Sequence, residues 1–162
     1  MPDWKTLVEQ YHLMAHPDGE YNLITGPPAS DEALANLETA LGFALPPEFR
    51  SFYSSFDGFG IASADDPSDV SWFFRPCDQI DQFPNDVRGW FKETHEGYAK
   101  RFFSFIDWSN GDGIGYMLDE SGKPIDGVFE FNHELYRFDS TQDVNEFLRH
   151  VPAGIQDFLS IS

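Results

Sequence analysis

The chain has 162 residues, about one domain's worth, with 10 Lys and Arg against 28 Asp and Glu for a net charge of −18. Hydrophobic residues make up 41% and aromatics 17%, including 17 Phe, which excludes disorder as the general state. No apolar run approaches the roughly 20 residues a spanning helix needs, and the opening Met1-Pro2-Asp3-Trp4-Lys5 lacks the basic region and apolar core of a secretory signal. A pI near 4.3 argues against nucleic acid and membrane as partners, because an anionic backbone or surface repels such a chain at long range. It favours basic partners. The single cysteine, Cys77, cannot form an internal disulfide, which suits a reducing, cytoplasmic location.

Trp4, Leu7, Val8 and Tyr11 fall at i, i+3, i+4, i+7, and Asp3 before them is an N-cap residue type, so the chain opens on a helix. His16-Pro17-Asp18-Gly19 reads as a turn and Tyr21 to Ile24 as a short strand, before Gly26-Pro27-Pro28 breaks regular structure. A second helix starts at Ser30 or Asp31, carries Leu34, Leu37 and Leu41 on one face, and ends at Gly42. A third starts at Pro46-Pro47, repeats Phe49, Phe52, Tyr53 and Phe56 at helical spacing, and ends at Gly58, which predicts an αα-hairpin with facing apolar stripes.

Beyond Gly60 the period changes. Val70 to Phe74, Phe102 to Ile106, Ile114 to Leu118 and Val128 to Phe131 read as strands, with Asp119-Glu120-Ser121-Gly122 as a connecting turn. Val87 to Lys100 has helical spacing at Val87, Trp90 and Phe91, and Ser140 or Thr141 caps a last helix containing Val144, Phe147 and Leu148. Helices bracketing a run of strands predict an α+β fold over residues 1–162 as a single domain.

The stretch LANLETALGFALPPEFRSFYSSFDGFG, from Leu34 to Gly60, is more specific than a helix pattern requires. Its Glu38, Leu41, Gly42, Leu45, Pro46, Glu48, Phe49, Phe52, Tyr53 and Gly58 resemble the signature of the SUKH superfamily, named after the fungal Smi/Knr-type regulators of cell-wall synthesis. Phe105 to Asp119, with Asp107 and Gly113, is similar to that family's strand-turn-strand, and Phe131-Asn132-His133-Glu134 with Val144 and Phe147 to its closing segment. The resemblance implies a mixed, mostly antiparallel sheet packed on helices and no catalytic residues. It gives Glu38, Gly42, Leu45, Pro46, Phe49, Phe52, Gly58, Asp107 and Gly113 structural roles. Many bacterial members look like immunity proteins that neutralise a cognate toxin, whereas fungal members act as interaction proteins in signalling.

Catalytic and cofactor templates fit the residues poorly. Gly58-Phe59-Gly60 closes a helix instead of opening one and has no third glycine at dinucleotide-loop spacing. A calcium loop counted from Asp107 puts Leu118 where a bidentate Glu is needed. His12 and His16 are i, i+4, but Pro17 disfavours helix at His16 and no Glu sits as in H-E-x-x-H. Cys77 has only Arg75 as a basic neighbour, so an inert thiol is expected. The sequence therefore predicts no enzyme, no metal and no cofactor.

The informative stretch is acidic. From Asp57 to Asp86 there are seven acids and one base, Arg75, with Trp72, Phe73 and Phe74 inside the run. Aromatics ringed by carboxylates have the anatomy of a surface that binds a basic protein, which makes Asp57, Asp65, Asp66, Asp69, Trp72, Asp78 and Asp81 the candidate partner-binding residues. A half-buried strand with Trp72 and Phe74 inward and the acids in flanking loops accounts for the same pattern. The expected function is an immunity protein that binds a basic, nuclease-type toxin through an acidic surface. The alternative is a regulatory or scaffold protein of the Smi/Knr type with an endogenous partner.

Overall fold

Capping chemistry starts the helices where the sequence places them. In the computed structural model, which describes residues 2–80, 90–107 and 112–160, helix α1 runs Trp4–Ala15, and the Asp3 side chain accepts from the Thr6 amide. Helix α2 runs Asp31–Leu41, capped by Ser30 on the Ala33 amide and closed by Gly42 in the left-handed conformation. Helix α3, Pro47–Tyr53, opens on proline as expected but ends at Tyr53, with Ser54 as its C-cap. Phe56 therefore lies beyond the helix, half-buried against the core. Gly58 serves the next element: at φ +90 a Cβ here would lie 2.6 Å from the Phe74 carbonyl oxygen, so only glycine lets the chain enter the sheet at this point.

The sheet has seven strands in chain order, β1 Tyr21–Thr25, β2 Phe59–Ser63, β3 Asp66–Phe74, β4 Phe102–Asp107, β5 Gly113–Met117, β6 Val128–Phe131 and β7 Leu148–Val151. Every adjacent pair is antiparallel, so the sheet is an antiparallel meander and not mixed. Strand β2 was not expected. Its residues Phe59-Gly60-Ile61-Ala62-Ser63 sit right after a helical run and carry two small residues and a glycine, a weak strand signal. Strand β3 begins at Asp66, so Asp66 and Asp69 are strand residues and not loop residues.

The register corrects a second expectation. Phe59 pairs with Phe74 but Gly60 pairs with Trp72, a one-residue bulge at Phe73. Phe74 packs into the core beside Phe52 (4.6 Å between ring centroids) and Phe59 (4.7 Å), while Trp72 pairs across from Gly60 on the opposite face and is half-buried. Trp72 and Phe74 are therefore not inward together.

Alternation along the strands divides the apolar residues between two layers. Phe103, Phe105, Tyr116, Val128 and Val151 face α1, α2, α3 and the last helix, α6 Gly154–Ser160, in an aromatic core where Phe49 stacks on Tyr53 at 4.2 Å and meets Phe105 edge-on at 5.2 Å. Phe102, Met117, Phe131 and Leu148 face the other way, into a second cluster with Phe91, Tyr136 and Phe147. The second layer covers β4 to β7, so that part of the sheet is buried on both faces, while β1 and most of β3 stay exposed or half-buried.

Two C-terminal expectations change. The helix around Val144, Phe147 and Leu148 is one 3-10 turn, Val144–Glu146, capped by Asp143; Phe147 ends it and Leu148 begins β7. The proposed Val87 to Lys100 helix is interrupted: Trp90 and Phe91 are helical, a turn follows, and α5 occupies Glu96–Arg101, preceded by the short α4 at Cys77–Ile80. Val87, Asp81, Asp86 and the segment 108–111 lie outside the described residues. No helix among the described residues is long and apolar enough to cross a membrane.

Candidate protein-binding surface

The β2–β3 hairpin turns on Ala64 and Asp65, with Ser63 opposite Asp66. Asp66 Oδ1 accepts from the Ser68 hydroxyl (2.7 Å) and amide (3.3 Å), and the Asp65 amide donates to Ser63 Oγ (3.2 Å), so the tip is braced locally. Asp65, Asp66 and Asp69 are all exposed, and no Lys or Arg among the described residues forms an ion pair with them.

The other predicted acids stand apart from these three. Asp57 is half-buried, and its Oδ1 accepts from the Cys77 amide at 2.7 Å, tying the end of the α3 segment to α4. Asp78 is exposed on α4. Both lie beyond the far end of β3, and the eight steps along its nine residues, at about 3.3 Å each, put roughly 25 Å between them and the hairpin tip. That is more than two Debye lengths of about 8 Å, so at physiological salt the two acidic groups act independently. The thiol of Cys77 is buried and held well above its ordinary pKa, first by burial and then by Asp57, which leaves it a poor nucleophile.

The family-pattern residues occupy structural positions. Glu38 Oε1 accepts from the Leu45 amide (2.9 Å) and from the Arg50 guanidinium, joining the end of α2 to α3 and holding its carboxyl below the usual range. Leu45, Phe49 and Phe52 are buried, and Pro46 is the N-cap of α3. Asp107 Oδ2 pairs with Arg75 at 3.0 Å, and Gly113 opposite it is buried in β5. Asp112 takes the His133 amide (2.9 Å) and Nδ1 (2.6 Å), and Asp119 takes the Ser121 and Lys123 amides. The carboxylates of this stretch thus serve protein donors.

Glu48, in the first turn of α3, lies where two surface clefts of about 380 and 320 Å³ meet, between Pro47 and Gly127. Burial pushes its carboxyl pKa up, against the amides of Gln156 (3.1 Å) and Ile155 and the Tyr116 hydroxyl (3.4 Å), which favour the charged form. A perturbed carboxyl in a cleft is an acid/base candidate. Here its oxygens are engaged in capping α6, and a Cβ at Gly154 would come within 2.5 Å of them.

A third place escaped the sequence reading. Between β6 and the 3-10 turn, the loop 132–143 is braced from inside by Gln142, one of two buried polar side chains among the described residues. Its Oε1 accepts from the Arg137 amide (2.9 Å), its Nε2 donates to the Leu135 carbonyl (2.8 Å), and its own carbonyl meets His95 Nε2 (2.8 Å). The loop holds Phe138 at φ +57, the one non-glycine at positive φ among the described residues, and leaves its side chain 65% exposed. The Phe138 ring lies 6.0 Å from Trp90, which is 39% exposed, and Leu135 on the same loop is 54% exposed. Glu134 and Asp139 are exposed on the same loop, and the Thr141 amide and then its hydroxyl hold the Asp139 carboxyl below the ordinary range. The sequence signal was there: two large apolar residues, Leu135 and Phe138, in a polar, turn-forming run. Ser140 and Thr141 also fit a helix N-cap, which masks that signal in the sequence.

No curated protein matches the chain. The SMI1 / KNR4 family (SUKH-1) matches residues 28–150, which contain α2, α3, the sheet from β2 to β6 and the loop 132–143. That is well over half of the chain, and it includes Glu38, Gly42, Leu45, Pro46, Phe49 and Phe52 in the roles just described. This protein belongs to the SMI1 / KNR4 family (SUKH-1).

Proposed function

We propose that this chain is a non-enzymatic protein-binding domain of the cytoplasm, an immunity protein that binds and neutralises a basic, nuclease-type toxin domain. Charge carries the reading: a net −18, with Asp65, Asp66 and Asp69 exposed together at a hairpin tip and no cation of the described residues paired to them. The mechanism is occlusion. An acidic protein competes with nucleic acid for a cationic cleft, and long-range attraction accelerates the encounter. Family membership favours a protein partner, and the use of Glu48 in capping and of Cys77 in the core favours binding over catalysis.

The test is stoichiometric inhibition. The toxin domain encoded by the neighbouring gene is purified and its nuclease activity is titrated with this chain. Activity falling to background at one equivalent supports the reading. Undiminished activity at large excess, together with stable capture of an endogenous regulatory protein, supports the Smi/Knr-type scaffold in its place.

A further inference from the structure

Resting on that reading, we infer that the loop 132–143 and Trp90 form the docking surface for the partner's arginine side chains. A non-glycine residue in the left-handed region is disfavoured, and an aromatic ring gains by leaving water. Phe138 forgoes both, held outward at φ +57 by a loop whose braces to Gln142 and His95 are internal. The result is an exposed aromatic pair, with the Trp90 and Phe138 rings 6.0 Å apart and inclined at 40° and the Phe138 ring 4.6 Å from that of Tyr136. Aromatic side chains fixed before binding are the residue types that anchor interfaces. The rim decides what they anchor. Glu134 and Asp139 are exposed on the loop, and its one cation, Arg137, is already engaged by Glu146 at 3.1 Å. An apolar partner would leave those carboxylates against hydrocarbon. A guanidinium satisfies rings and carboxylates together, since its plane stacks on an aromatic face and its edge donates to carboxylate oxygen; a lysine ammonium stacks poorly.

The experiment uses the full chain, 15N-labelled, titrated with dodeca-arginine and with dodeca-lysine. Dodeca-arginine moves the Trp90 indole N–H and the amides of residues 132–143, and binds about two- to fivefold tighter than dodeca-lysine. Phe138→Asn, which tolerates the left-handed backbone, removes that preference at an unchanged or higher melting temperature. Trp90→Leu, which keeps apolar area and loses the ring face, is the second variant and reduces the preference likewise. Equal affinities for the two peptides, with shifts centred on residues 63–69, overturn the docking assignment and leave the charge-based function standing. No saturable binding of either peptide overturns both.

Discussion

Glu38 performs two tasks with one oxygen. It accepts from the amide of buried Leu45 and from Arg50, and so fixes the angle at which the chain leaves α2 and enters α3. Glu38→Ala leaves the Leu45 N–H without that acceptor and should cost about 1–3 kcal/mol, read as a lower urea midpoint. Glu38→Gln keeps an acceptor and should cost less. Phe52 contacts Trp4, Phe59 and Phe74 with no exposed surface, so Phe52→Ala should cost about 3–5 kcal/mol, while half-buried Phe56 costs less. A Phe52→Ala midpoint equal to wild type contradicts this core. Such positions were legible in the sequence because helical spacing marks the buried stripe. Phe138 was not, because no helical or strand spacing marks its outward, left-handed conformation; Gln142 braces the loop from within, and His95, distant in the chain, holds the Gln142 carbonyl.

At the scale of elements, caps were legible and pairings were not. Asp3, Ser30 and Gly42 act within a few residues of themselves, and all three stand where their chemistry placed them. The identity of β2, the bulge at Phe73 and the conversion of Leu148 from helix to strand depend on partners across the sheet. The α3–α6 junction makes a pH prediction. Burial raises the Glu48 carboxyl pKa above its unfolded value, so the folded state holds the extra proton; the associated stability is fully present below the unfolded pKa and is lost as pH rises through the folded one. Comparison with Glu48→Gln isolates this group, because the amide does not titrate yet still accepts from the Gln156 amide. The wild type should gain stability relative to the variant on going from pH 8 to pH 5, measured by denaturant midpoints. A gain in the opposite direction means that Glu48 is stabilised as a carboxylate and that burial does not dominate.

For the whole molecule, the governing fact is 28 acids against 10 bases on a chain whose sheet is buried on both faces only from β4 to β7. The acids are not one patch: the hairpin tip, the Asp57–Asp78 end and the loop 132–143 are separate groups on one strongly anionic molecule. Substituting Asp65, Asp66 and Asp69 by Lys together should slow association with the toxin domain more than it speeds dissociation, because rim charges act chiefly on encounter. It should leave the melting temperature close to wild type, since all three are exposed and unpaired with any described cation, and the bonds Asp66 gives up, both to Ser68, are exposed ones.

The proposed function requires that charge draw a basic toxin domain onto this chain. Stopped-flow association with the neighbouring-gene toxin domain, at two salt concentrations, reads this out. Raising salt from about 0.1 M to 1 M shortens the Debye length from about 10 Å to 3 Å. The association rate should then fall steeply for the wild type and less for the Asp65, Asp66 and Asp69 triple variant. A rate indifferent both to salt and to the triple substitution contradicts the proposed function.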